Sequence, residues 1–93
     1  MPWVYMVRCS DSSLYIGHTD NICARERTHN EGRGSRYTSE RRPVKIVYSE
    51  SYDLLDAAIA QERQLKRWTT AKKEALIAGD FATLKSRSVR RRK

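Results

Sequence analysis

The stretch Trp3-Val4-Tyr5-Met6-Val7-Arg8-Cys9-Ser10-Asp11-Ser12-Ser13-Leu14-Tyr15-Ile16-Gly17 decides the fold. Residues 3–8 and 13–17 are rich in β-branched and aromatic side chains, which suit a pleated, packed surface. The polar Ser10-Asp11-Ser12 between them reads as a hairpin turn. Facing residues of an antiparallel pair have numbers with a fixed sum, and an even sum puts two odd-numbered residues on one face. With the turn near Ser10 or Asp11, Tyr5 stands opposite Tyr15 or one pair away, and either register puts both phenols on the same side. An odd sum would separate them.

Working outward, Thr19 or Asp20 is expected to cap a helix running to about Asn30. Its only apolar residues are Ile22, Cys23 and Ala24. At 100° per residue, Ile22, Arg25 and His29 fall within about 60° of one another. The face that meets the sheet therefore has to include an arginine and a histidine. Residues 30–42 read as a glycine-bearing basic loop ended by Pro43, and 44–48 as a third strand. A helix is expected from Asp53 to about Trp68. Another, capped at Thr69 or Thr70, runs through Ala78 to a stop at Gly79. Phe81 and Leu84 are read as packing back onto the domain. The order β-β-α-β-α-α predicts an α+β domain, a small three-stranded antiparallel sheet flanked by helices.

The chain of 93 residues suffices for one domain with a modest core. With 39% hydrophobic and 32% charged residues, it has the composition of a globular protein rather than a disordered one. No apolar run approaches the roughly 20 residues of a membrane helix. The first apolar stretch, Trp3 to Val7, is too short for a signal peptide's core, so a cytoplasmic location is expected. Cys9 and Cys23 are too few for a disulfide framework. With His18 and His29 their order departs from structural zinc spacing, which favours plain thiols. Of the net charge of +8, six basic residues lie in 85–93, a segment without an acid. Residues 1–84 hold the remaining thirteen basic and all eleven acidic residues, a net of +2. The expected organisation is a folded domain over 1–84 and a basic, disordered tail over 85–93. Such a tail adds salt-sensitive affinity for phosphates or serves solubility alone.

The helix over 53–68 carries an anomaly. Taking Leu54 as origin, Glu62 falls at about 80°, inside the apolar stripe of Leu65, Ala58, Leu55 and Ile59. A carboxylate there has to be paired, protonated or bound to a metal. The readings are a structural pair with Arg25 or Arg63, or a magnesium ligand opening into a cleft.

Tyr5 in an apolar run, Tyr15-Ile16-Gly17 ten residues on, Arg25 ten further, His29 one turn later and Glu62 on a later helix together form a pattern. It resembles the GIY-YIG nuclease signature, over residues 3 to about 78. The segment His29-Asn30-Glu31-Gly32-Arg33-Gly34, then Tyr37-Thr38, Arg42-Pro43 and Leu65-Lys66-Arg67-Trp68, is similar to the short, stand-alone members. Two departures stand out: Val4-Tyr5-Met6 replaces Gly-Ile-Tyr, and no asparagine follows Glu62, leaving its task to be omitted or taken by a residue such as Lys72.

The resemblance implies a metal-dependent endonuclease hydrolysing DNA phosphodiesters. Tyr5, Tyr15, Arg25, His29 and Glu62 would be catalytic, and Glu62 would hold Mg2+ or Mn2+. A hard cation bound by one carboxylate, with water and phosphate completing its shell, suits magnesium. Arg25 can fork onto phosphate oxygens. Tyr5 is the choice for general base, and Tyr15 would position water or phosphate. His29 would relay the proton or hydrogen-bond a tyrosine; His18 is left without a role. Arg33, Arg36, Arg41, Arg42, Lys45, Arg63, Lys66, Lys72 and Lys73 are the candidates for backbone contacts, which position a duplex without reading its sequence. Little sequence specificity is therefore expected, with selection by DNA shape or by a protein partner. The alternatives are a non-catalytic nucleic-acid-binding module on the same fold, or a small basic protein whose partner is RNA or another protein.

Overall fold

The computed structural model describes residues 1–79, so Phe81, Leu84 and the 85–93 tail lie outside the described residues. Strands β1 (Trp3–Arg8), β2 (Leu14–Thr19) and β3 (Lys45–Ser51) form an antiparallel sheet in the order β2-β1-β3. The α+β class is as expected. Helices α1 (Ile22–Asn30) and α2 (Arg36–Ser39) precede β3, and α3 (Leu55–Lys66) and α4 (Thr70–Ala78) follow it. The short helix α2 interrupts the segment read as loop. Ser35 caps it, its hydroxyl accepting from the Thr38 amide.

Central strand β1 is buried on both faces, which is why its sequence is a continuous apolar run rather than an alternation. Val4 and Met6 join Ile16, Ala58 and Leu65 in one cluster, backed by Trp68, Leu76 and Ile77. Tyr5 and Val7 join Cys9 and Val44 in the other, with Tyr15, Ile22 and Ile46 against it. Thus α3 and α4 cover one face, and α1 covers the opposite one. The hairpin pairs Val7 with Tyr15 and Tyr5 with Gly17, the even-sum register with the tyrosines one pair apart. Ser12 turns the chain with φ 72°, and Asp11 accepts from the Ser13 amide.

α1 also braces the start of β3. The Asn30 side chain bonds both the amide and the carbonyl of Val44, at 2.7 and 2.9 Å, and Glu26 accepts from the Ile46 amide at 2.7 Å. These bonds occupy backbone groups that an edge strand would otherwise expose. Arg8, at the end of β1, forks onto Glu74 of α4 at 2.7 and 2.6 Å.

Two helix starts differ from the sequence reading. Asn21, not Thr19 or Asp20, caps α1, because Thr19 is the last residue of β2 and its hydroxyl bonds Arg25 and the Asn21 amide. α3 begins at Leu55 instead of Asp53, and Leu54 and Leu55 are exposed at 67% and 50%, outside the stripe assigned to them. Its buried seam is Ala58 and Leu65, with Glu62 half-buried beside them. α4 matches its expected limits, capped by Thr69 and ended by Gly79 at φ 74°, a left-handed stop that suits glycine.

Candidate active site

Tyr5 and Tyr15 project from adjacent strands onto the face covered by α1. Opposite Tyr5 stands Gly17, where a Cβ would come within 2.7 Å of the Tyr5 hydroxyl and 3.3 Å of a Tyr15 ring carbon. The glycine of Tyr15-Ile16-Gly17 thus clears room for both phenols, a steric requirement visible only once the register is known.

α1 turns His29 and Arg25 toward this face. His29 is fully buried, its Nε2 2.9 Å from the Tyr5 hydroxyl and its Nδ1 2.8 Å from the Thr38 hydroxyl. Both tyrosine rings meet the imidazole edge-on, with centroids 5.6 and 5.5 Å away. Tyr15 stacks on Tyr37 at 6.0 Å, and the Arg41 guanidinium lies 3.9 Å from the Tyr37 ring centroid. Arg25 donates to Thr19 at 3.0 Å, and among the described residues no carboxylate forms an ion pair with it. Its charge is thus held in place and left for an anion. Such an arginine is a ready phosphate partner.

Glu62 reaches the site from the other side of the sheet. α3 packs on β2, the edge strand, and the Glu62 carboxylate accepts from Lys66 at 2.8 Å and lies 2.5 Å from His18 Nδ1. Neither of the pairs weighed from the sequence, with Arg25 or Arg63, forms. Lys66 is one turn along the same helix, whereas His18 comes from β2, and its contact with Glu62 is one that sequence reasoning missed.

The electrostatics follow from these placements. Burial pushes the Tyr5 phenol up to about 12; Arg25 opposes the rise, and Tyr15 and Glu62 add to it. Without substrate Tyr5 is therefore a protonated phenol at neutral pH. Burial also pushes the Glu62 carboxyl up, but hydrogen bonds from Lys66 and His18 outweigh it, and the group stays below the ordinary glutamate range. His29 is shifted below its ordinary 6.5, first by burial and then by Arg25.

The His29 shift has a consequence for stability. Its folded pKa is depressed, so below pH 6.5 the unfolded chain binds the proton more readily than the folded one. Stability present above pH 6.5 is lost as the pH falls toward the folded value. A series of melting curves from pH 8 to 5 should show a declining Tm, and His29→Asn should flatten that slope. An equal slope in both proteins would remove His29 as its source.

The Glu62 carboxylate is ionised, 14% exposed, and held by the Lys66 and His18 side chains, which are themselves 54% and 41% exposed. This is a fit for a hard divalent cation. No group of three histidine, cysteine or acidic side chains stands together among the described residues. A cation on Glu62 would thus take its remaining ligands from water and phosphate, as magnesium prefers.

The other cations named from the sequence divide. Arg36 is 94% exposed with a 3.7 Å approach to Glu40, and Arg33 is 70% exposed and paired with Glu31. Arg42 and Arg63 are exposed, and Lys45 is exposed on β3. Arg41 is tied to Asp11 and to the Tyr37 carbonyl. Lys73 is half-buried. Lys72 is the exception: it is only 8% exposed, and its ammonium lies 4.3 Å from the centre of the Trp68 ring. That burial argues against a role as a surface phosphate contact.

A three-stranded sheet with two tyrosines, an arginine and a histidine on one face and a glutamate at its edge defines a class. The GIY-YIG catalytic domain family profile matches residues 1–75, and the chain belongs to that family, a nuclease family acting on DNA. The relatives it resembles are named UPF0213 proteins. Those of Staphylococcus aureus strains Mu50 and N315 are each 45% identical over 75 residues, covering 81% of this chain and 92% of theirs. The solution NMR structure of the UPF0213 protein BH0048 from Bacillus halodurans superposes with a TM-score of 0.55 at 32% identity, covering 84% of each chain. GIY-YIG nucleases generally depend on a divalent metal. Among the described residues no helix is long and apolar enough to cross a membrane.

Proposed function

We propose that this protein is an endonuclease that hydrolyses DNA phosphodiester bonds with magnesium or manganese, in the cytoplasm, with little sequence specificity. The observation that carries the reading is the hydrogen bond between Tyr5 and a neutral, buried His29, set beside an arginine without an acidic partner among the described residues.

Hydrolysis needs a deprotonated water, a neutralised phosphate and a stabilised leaving oxygen. Tyr5 lies within a hydrogen bond of a base and so can take a proton from water while passing its own to His29 Nε2. This concerted exchange removes the difficulty that a phenol at about 12 poses for a lone general base. The water oxygen then bonds to phosphorus as the bond to the leaving oxygen breaks. His29 returns its proton through Tyr5 to solvent, and the leaving alkoxide is protonated from solvent. Arg25 binds non-bridging phosphate oxygens through its planar fork. Tyr15, wedged between His29 and Tyr37, orients the water or the phosphate with its hydroxyl. Glu62 would hold the divalent cation, which when bound supplies Lewis-acid stabilisation of the charge developing on oxygen. Arg33, Arg36, Arg42, Arg63 and Lys66 would hold the duplex by its backbone, which gives position without sequence. Shape-selective cutting, or a partner protein that brings the domain to its site, would supply specificity.

Cleavage of labelled single-stranded, duplex, flapped and four-way-branched DNA by the full chain tests this, with magnesium, with manganese and with EDTA. Strand scission that requires a divalent ion and disappears in EDTA is the expected result. Salt-sensitive binding with no cutting of any substrate would overturn it in favour of a binding module.

A further inference from the structure

Thr38 is fully buried although it lies on a four-residue helix in a basic segment. Its hydroxyl has three partners: His29 Nδ1 at 2.8 Å, the Ser35 hydroxyl at 2.9 Å and the Ser35 carbonyl at 3.3 Å. A buried hydroxyl with that many bonds is held rigidly, and its one proton has to be assigned to one of them.

We propose that Thr38, held by Ser35, is a positioning residue that fixes His29 in the tautomer protonated on Nδ1, so that the bare Nε2 faces Tyr5. The proposal rests on the reading of Tyr5 and His29 as the proton-transfer pair. Tyr5 is 2% exposed, and among the described residues Nε2 is the one hydrogen-bond partner of its hydroxyl. A buried phenol has to donate its proton, and only an unprotonated Nε2 can accept it. The imidazole proton then sits on Nδ1 and donates to the Thr38 oxygen. Thr38 in turn donates to the Ser35 carbonyl, and the Ser35 hydroxyl can donate to the second lone pair of Thr38 Oγ1. Every proton in the chain has one acceptor, and the bonds run in one direction from Tyr5 to the backbone. In the opposite tautomer Nε2–H would point at the Tyr5 oxygen, and His29 could not accept the Tyr5 proton. In a histidine side chain, which ring nitrogen carries the proton is set by the hydrogen bond that the other one makes. Thr38 makes that bond to Nδ1, and the glycine at 34 is what lets the ring and the threonine meet.

The test reads the tautomer directly, by long-range proton–nitrogen correlation spectra of the His29 ring in uniformly 15N-labelled full-length protein. Wild type and Thr38→Ser should show Nδ1 protonated and Nε2 bare, whereas Thr38→Val, which keeps the volume and removes the hydroxyl, should lose that pattern. In cleavage assays Thr38→Val should lower kcat by roughly 10–100-fold with KM little changed, and Thr38→Ser should restore most of it. Wild-type His29 protonated on Nε2 would overturn the proposal, and this requires no variant to fold. An unchanged tautomer in a folded Thr38→Val would overturn it too. The spectra need no activity, so they decide the role of Thr38 even if no DNA is cut. Loss of the nuclease reading would appear instead as normal tautomers with no cleavage, or as cleavage that survives Tyr5→Phe.

Discussion

Replacing Glu62 by glutamine is expected to lower DNA cleavage by roughly 10³-fold while leaving DNA binding intact or slightly tighter. Among the described residues Glu62 is the one carboxylate whose charge the Tyr5 phenol registers. Glutamine keeps the shape and loses the charge that would hold a divalent cation. Binding should survive because the proposed backbone contacts are made by cations and not by Glu62, and removing an anion near the phosphate reduces repulsion. The fold should survive as well. The Glu62 side chain sits on the rim, and its partners Lys66 and His18 are 54% and 41% exposed, so neither is stranded in an apolar interior. Cleavage kinetics and a salt titration of binding, run on both proteins, separate the outcomes. Cutting that persists unchanged in Glu62→Gln would mean that the metal, if one is used, is held elsewhere.

The contrast between Glu62 and its partners marks the limit of what the sequence made legible. Its place on the helix followed from 100° spacing, and Lys66 one turn away was readable by the same rule. His18 is 44 residues distant and meets Glu62 only because α3 packs against the edge strand that carries it. Non-local pairing of this kind leaves no periodic trace. The hairpin behaved differently: a short turn between two β-rich runs restricted the register to a few choices, and both even-sum ones put the tyrosines together. Burial was harder to foresee. Leu54 and Leu55 counted as stripe residues on a wheel, yet they stand where the chain leaves β3 and enters α3, before the helix reaches the sheet. The sequence around α2 offered no apolar repeat at all, so Ser35 and Thr38 read as loop residues. Only the contact of Thr38 with His29, and the Ser35 hydroxyl that holds Thr38, give them meaning.

Gly34 makes the same point more sharply, because its requirement is steric and not conformational. A Cβ built on Gly34 meets His29 Nδ1, Cγ and Cε1 at distances real side chains never reach. The neighbour is a buried ring held between Tyr5 and Thr38, unlike the tip of a flexible chain, so it cannot yield cheaply. Gly34→Ala is therefore expected to destabilise the fold by about 1–3 kcal/mol, the usual cost of overpacking. It should also push His29 away from Tyr5 and cut activity well beyond what the stability loss explains. Denaturant unfolding of Gly34→Ala, His29→Ala and the double variant isolates the cause. If the clash is with the ring, truncating His29 removes it, and the double variant should be no less stable than His29→Ala alone. Simple additivity of the two single losses would place the strain in the backbone of the loop instead, and the glycine would then be serving the chain path rather than the imidazole.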